Sequence, residues 1–287
     1  MAIHTRKNMK IQTMRTNLTR SALALAVGLA AASGIKANAE LVYGVSDQLD
    51  QLVSFDSATP GTLLSAVSIT GMQSGEQMRG IDWIAGTLYG LGSQSHLYTI
   101  NLLTGAATQV GAGAFSPVLN GIDFGFNAGS SQLYVSSDLG QNLTLNPVTG
   151  VATAGVNYTG ASVDAMTYDY LSTFFYGISA ATHDFYLMNP VTGATSLIGA
   201  TGVSFADRIG FDISPITDNA FFSGTVGGQT EFFSVNLATG ALTLIGDVGT
   251  PGELTSGLDS IAVVPEPATV ALSAIGGLML VLFRRKK

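Results

Sequence analysis

A turn recurs along the middle of this chain at a nearly constant interval, and the interval limits what the chain can fold into. Five segments end in Thr-Gly or Pro-Gly: Leu52–Gly61, Leu97–Gly105, Leu143–Gly150, Phe185–Gly193 and Phe232–Gly240. Their glycines fall 44, 45, 43 and 47 residues apart. A period of this size is the signature of stacked supersecondary units, each unable to bury its apolar faces alone. Before each turn lies a strand of alternating character, with Leu97, Thr99 and Asn101 on one face and Tyr98, Ile100 and Leu102 on the other. After it comes a shorter strand ending in Gly, as in Ala107–Gly111 and Leu242–Gly246. The Asn-Pro-Val-Thr-Gly form is built to reverse a chain. Asn accepts local backbone bonds, Pro presets φ, and Gly takes a positive φ.

Two further strands precede each of these pairs. The first carries Gly80-Ile81-Asp82, Gly121-Ile122-Asp123, Gly210-Phe211-Asp212 or Gly257-Leu258-Asp259. The next carries Leu88-Tyr89-Gly90, Leu133-Tyr134-Val135, Phe175-Tyr176-Gly177 or Phe221-Phe222-Ser223. Each unit is thus four short antiparallel strands, the size of a propeller blade. The phase of the repeat predicts closure. The chain enters at a second strand, Leu41–Val45, and the missing first strand appears only at Gly257–Val264. The expected fold is all-β: a five-bladed propeller with blades at 41–71 plus 257–264, 80–111, 121–155, 163–199 and 209–246, closed by its N- and C-terminal strands. Gly, Thr and Asn recur too often for long helices, and a β-sandwich would not require the period.

Charge is distributed unevenly. Of twelve Lys and Arg, six lie at or before Lys36 and four end the chain, so residues 40–264 hold only Arg79 and Arg208 against eighteen acids, a formal −16. Nucleic acid and anionic lipid would be repelled. Cys is absent, which removes disulfides, thiolate metal sites and thiol nucleophiles.

Residues 1–39 read as a secretory signal peptide: a basic region of Lys7, Lys10, Arg15 and Arg20, the apolar run Ala22–Ala32, and cleavage after Ala37-Asn38-Ala39. That run is too short to cross a hydrocarbon core of about 30 Å. At the other end, Pro265, Glu266 and Pro267 precede sixteen mostly apolar residues, 268–283, and the basic tail 284–287. A helix over 268–283 would span a bilayer only marginally, with the basic end cytoplasmic. This order closely resembles the PEP-CTERM sorting tail. The resemblance implies recognition of Pro265, Glu266 and Pro267 by an exosortase, a membrane protease-transpeptidase that removes the helix. The protein is then exported to the envelope or matrix after at least transient anchoring in the inner membrane; a permanent anchor is the alternative. The middle, 40–264, is similar to the DUF4394 family, of unknown function and propeller-like fold. The similarity rests on Val42–Val45, Leu52–Gly61, Arg79-Gly80-Ile81-Asp82, Leu88–Gly90 and Asn189–Gly193.

Chemistry is sparse. The repeated Asp82, Asp123, Asp212 and Asp259, with Asp164 or Asp169 as the fourth-blade counterpart, would converge on a channel and hold Ca²⁺, or cap backbone amides. The expectation favours amides, so no cofactor is assigned. Arg79 and Arg208 would pair with carboxylates or clamp an anion. His96 and His183 fall a blade or more apart, no nucleophile motif occurs, and Trp83, Tyr98, Tyr176, Tyr186 and Phe232 read mainly as core. The resulting expectation is a non-enzymatic binding or scaffold module for exopolysaccharide or envelope glycans. Its rivals are a Ca²⁺-assisted glycan hydrolase or lyase and a purely structural matrix protein.

Overall fold

The computed structural model describes residues 39–46, 50–120, 124–128, 132–254 and 257–264. Within them the chain forms twenty strands in five four-stranded antiparallel sheets. Blade 1 is β1 (Leu41–Ser46), β2 (Gln51–Asp56) and β3 (Leu63–Ser68) with the last strand, β20 (Ser260–Val264), inside β1. Blade 2 follows as β4 (Met78–Ile84), β5 (Thr87–Gly92), β6 (Leu97–Ile100) and β7 (Ala107–Val110), and blade 3 as β8 (Phe124–Ala128), β9 (Leu133–Ser137), β10 (Asn142–Leu145) and β11 (Ala152–Ala154). Blade 4 is β12 (Ala165–Tyr168), β13 (Phe175–Ile178), β14 (Asp184–Met188) and β15 (Thr195–Ala200). Blade 5 is β16 (Ala206–Ile213), β17 (Ala220–Val226), β18 (Gln229–Val235) and β19 (Leu242–Asp247). Among the described residues there is no helix, and none long and apolar enough to cross a membrane. The signal peptide, including Ala37, and the tail, including Pro265, Glu266, Pro267 and the expected helix 268–283, lie outside the described residues; Ala39 is the first of them.

The ring closes as its phase requires. β20 pairs with β1 from Leu41↔Val264 to Val45↔Ser260, and the innermost strands touch in a cycle: β20 on β4, β4 on β8, β8 on β12, β12 on β16, β16 on β20. Each seam buries its own apolar cluster. Tyr43, Val45 and Leu52 meet Met78, Ile81 and Tyr98 between blades 1 and 2, and Leu91 and Leu97 meet Leu133 and Leu143 between blades 2 and 3. Tyr134 packs on Met166 and Phe175 at the third seam. Phe185 and Tyr176 pack on Phe211 and Phe222 at the fourth, and Phe221 and Phe232 on Val42, Val53 and Phe55 at the last. Removing these faces from water is the main stabilising term, and no sheet could do it alone.

The repeated turn serves both local and seam geometry. Asn101, Asn146 and Asn189 accept the two following turn amides through Oδ1 at 2.8–3.1 Å, and Asn236 accepts that of Ala238. Gly105, Gly150, Gly193 and Gly240 take φ of 69°, 70°, 71° and 80°. In the first three, a Cβ would also meet the end of the preceding blade's outer strand or the link after it: Ser68, Val110 and Asn157 carbonyls respectively. Gly61 differs, with no positive φ and no such contact closer than 3.8 Å. Its turn is capped instead by Asp56, whose Oδ1 accepts the Ala58 amide at 2.7 Å.

Candidate functional site along the propeller axis

The first strands line the axis, and their polar side chains gather at two levels. At the entrance, where these strands begin, Asp259 Oδ1 accepts from Arg79 Nη1 and Arg208 Nη1, both at 3.0 Å. The two cations that blades 2 and 5 contribute thus share one carboxylate from blade 1, with side-chain exposures of 16%, 28% and 4% for Arg79, Arg208 and Asp259. Arg208 adopts φ 71° at a bulge where the ladder skips from Ala206 to Gly210. Burial pushes the Asp259 carboxyl up further than the two guanidiniums pull it down. The arrangement locks three blades together.

Farther along the axis, Asp212 performs a second lock. Its Oδ1 accepts from Thr167 Oγ1 at 3.1 Å and the Ile213 amide at 2.8 Å, and its Oδ2 accepts the Val263 amide at 2.7 Å. Blades 4, 5 and 1 meet on this one side chain. Val263 follows Asp259 by four residues, so the two locks stand about 13 Å apart at the rise of an extended strand. Asp82 Oδ1 accepts the Trp83 amide at 2.6 Å. Ser260 Oγ, from β20, accepts the Ile81 amide at 3.1 Å and so ties blade 1 to blade 2. Tyr170 approaches the same level: its phenol is pushed up by burial and then by the charges of Asp82 and Asp212.

Asp82, Asp212 and Asp259 are therefore not gathered into one ring of ligands. In β4 and β16 the Gly-x-Asp triplet lies inside the strand, whereas Gly257-Leu258-Asp259 precedes β20, so identical triplets present their acids at different depths. Asp123 lies outside the described residues, and β8 begins at the next residue, Phe124. The two fourth-blade candidates flank β12: Asp164 Oδ2 accepts the Ala180 amide at 2.6 Å, and Asp169 caps the amides of Leu171 and Ser172 at 2.8 and 3.0 Å. Asp212 accepts from protein donors through both oxygens. Among the described residues no three His, Asp or Glu side chains group as metal ligands.

His96 and His183 have separate settings. The His183 ring nitrogen Nε2 lies 2.9 Å from the Phe205 carbonyl. His96 Nδ1 lies 3.1 Å from Glu76 Oε2, which also accepts from Tyr98 Oη at 2.6 Å. Glu76 Oε1 accepts the Gln94 amide at 2.8 Å. Burial, and then the Glu76 contact, push the Tyr98 phenol up to about 12. This cluster escapes sequence reasoning because Glu76 stands in a link between blades, where periodicity offers no matching position. Of the expected core aromatics, Tyr98, Tyr176 and Phe232 are buried, while Trp83 and Tyr186 are half-buried. Near the axis Tyr134, Tyr168, Tyr170 and Phe175 form a continuous aromatic group with centroids 4.6–6.4 Å apart.

Five blades, a terminal strand that shuts the ring and an axis braced by acids define a propeller followed directly by a sorting tail. The chain belongs to the family described as domain of unknown function DUF4394, whose model matches residues 51–258, and residues 263–287 match the PEP-CTERM protein-sorting motif. That motif implies exosortase-dependent sorting to the cell envelope. No curated protein matches the chain. Among solved structures, a structural genomics protein of unknown function from Bacteroides thetaiotaomicron shares the fold at 16% identity and TM-score 0.52, over 79% of this chain and 65% of that one, so this chain spans slightly less than two thirds of it. A nidogen/laminin complex is similar at 10% identity and TM-score 0.48 over 78% of this chain and 98% of that one. TolB from Acinetobacter baumannii follows at 11% and 0.46, over 73% and 53%.

Proposed function

We propose that this protein is a non-enzymatic binding and scaffold module of the cell envelope or extracellular matrix, with exopolysaccharide or envelope glycans as its ligand. The observation that carries the reading is how the axial acids are used. Asp212 and Asp259, the best placed for catalysis or cation binding, are engaged by a hydroxyl, amides and guanidiniums that brace neighbouring blades. Recognition then falls to the half-buried rings of Tyr134, Tyr168 and Tyr170 beside the axis, since a flat apolar ring with a polar tip suits the face of a sugar. The test is retention of the host's own exopolysaccharide by the purified chain. Tyr170→Ala should weaken retention roughly tenfold, the upper range for one aromatic stacking contact. No retention by the native chain would remove the glycan and leave the structural matrix role.

The rival, a Ca²⁺-assisted glycan hydrolase or lyase, draws on the approach of Asp82 and Asp212 to Tyr170. It requires glycan cleavage that is lost on chelation and in Asp82→Asn. Cleavage insensitive to both would exclude it.

A further inference from the structure

Five large hydrophobic side chains stand more exposed than any others described: Leu103, Val148, Val191, Leu171 and Ile216, from 86% down to 69%. The first three occupy turns between third and fourth strands, and the last two occupy turns between first and second strands. Strand alternation places all five at one end of their own sheets, the end at which Leu41 and Val264 lie in blade 1. The next most exposed, Leu139 at 66%, belongs to the other end. That other end carries the exposed acids Asp50, Asp247 and Glu253, with Asp138 and Asp184 half-exposed. By contrast, residues 101–106, 146–151, 170–174, 189–194 and 236–241 contain no charge, and the half-exposed acids at this end are Asp56 and, in the Ile216 turn, Asp218.

Part of this end is continuous with the point where the chain leaves the fold. Leu41, next to Glu40, pairs with Val264. The Glu40 carboxylate accepts from Thr217 Oγ1 at 2.6 Å and Asn219 Nδ2 at 3.0 Å, which seats the Ile216 turn beside the exit. The next residue along, Asp218, lies against Asp169, and Asp169 caps the turn bearing Leu171 and Phe174. Phe174, Pro190 and Val191 then line an apolar cleft of about 390 Å³. Val264 is followed by three residues, 265–267, and then by the apolar run 268–283. Three extended residues reach about 10 Å at most.

We propose that this end of the propeller, centred on Leu171, Val191 and Ile216, is a docking surface for the non-cytoplasmic leaflet of a zwitterionic lipid bilayer. The inference rests on reading the tail as a membrane anchor and holds while the tail is attached. Tyr170, assigned above to the glycan, stands in the same turn as Leu171, so bilayer and glycan would compete for this end. A tether of about 10 Å holds the exit at headgroup depth and raises the local concentration of lipid at the adjoining apolar tips far above that of any free partner. Apolar side chains on turns that carry Asp218 as their one acid insert at the headgroup boundary, while the more acidic end is held away from the membrane. The net charge of −16 over residues 40–264 selects against an anionic surface.

The test uses the signal-processed, tail-bearing chain in phosphatidylcholine vesicles. The absence of native Cys permits single labels: Leu171→Cys, Val191→Cys and Ile216→Cys against Asp138→Cys and Asp184→Cys, each carrying an environment-sensitive fluorophore. Lipid-attached nitroxide should quench the first three at least threefold more than the other two. Leu171→Ser with Ile216→Ser should bring the Val191 label down to the control level. Equal quenching on a chain that floats with the vesicles overturns docking but leaves the anchor standing. A chain that does not float overturns both. Burial of the first three fluorophores without added quenching, lost below one chain per vesicle, assigns the surface to a second copy and overturns the lipid.

Discussion

Asp259 and Asp218 are both carboxyls that burial pushes up, yet replacing them should differ in outcome, because Asp259 is the shared acceptor of two guanidiniums and Asp218 faces a second acid. Asp259 faces two guanidiniums, and Asp259→Asn leaves both without their shared anion inside the ring. The guanidiniums are 16% and 28% exposed, so water takes up part of the loss. The cost lies between the roughly 0–1 kcal/mol of a surface bridge and the about 3–5 kcal/mol of a fully buried pair. The variant should melt well below the native protein at pH 7; an unchanged melting temperature would remove the entrance lock from the account. Asp218 instead faces Asp169, whose own carboxyl is held down by the amides and hydroxyl around it. A folded-state pKa raised above the unfolded one gives stability that is fully present below the unfolded value, about 3.9, and is lost as pH rises through the folded value. Asp218→Asn should therefore raise the melting temperature at pH 7, with the gain vanishing below about pH 4. Asn also tolerates the φ of 63° found here. Thermal scans of both chains across that range decide it, and a gain that grows towards acid would reverse the sign.

At the scale of the element, one repeat position should show two behaviours. Gly193 combines a positive φ with a Cβ direction that runs into the Asn157 carbonyl of the preceding blade. Gly61 has neither constraint. Gly193→Ala should cost about 1–3 kcal/mol, a fall of several degrees for a domain of this size, whereas Gly61→Ala should lie near neutral. Matching losses at both sites would mean that the turn, not the seam, dictates glycine. The contrast also shows what was legible beforehand. The strands, turns and closing ribbon could be read because each is signalled by residues within one period. The axial chemistry could not. Asp82 and Asp212 lie inside β4 and β16 whereas Asp259 precedes β20, so Gly-x-Asp triplets that align in sequence fall at different depths. The shared partner of Arg79 and Arg208 comes from 180 and 51 residues away. The Glu76–Tyr98–His96 group depends on a link outside the repeat.

For the whole molecule, the boundary between fold and tail is placed where cutting the tail costs nothing structural. Val264 ends β20, and Pro265, Glu266 and Pro267 follow it at once. Ile261, Ala262, Val263 and Val264 are each at most 2% exposed. Ser260 ties blade 1 to blade 2, and the Val263 amide satisfies Asp212. A chain ending at Val264 keeps every one of these contacts and should melt with the tail-bearing protein, to within the degree or two that a solvent-exposed terminus contributes. A chain ending at Asp259, only five residues shorter, loses a strand from the centre of the ring. It exposes the inner edge of β1, uncovers the flanks of β4 and β16, and leaves the Asp212 carboxylate without its partner from blade 1. Four buried aliphatic or alanyl side chains go with it, at about 1.5–3 kcal/mol for each large one, a sum comparable to the 5–15 kcal/mol that holds a typical domain together. Cooperative unfolding measured by circular dichroism should survive the first truncation and disappear in the second. Equal loss in both would mean that the tail, not the strand, closes the ring, and removal of the tail would then dismantle the propeller.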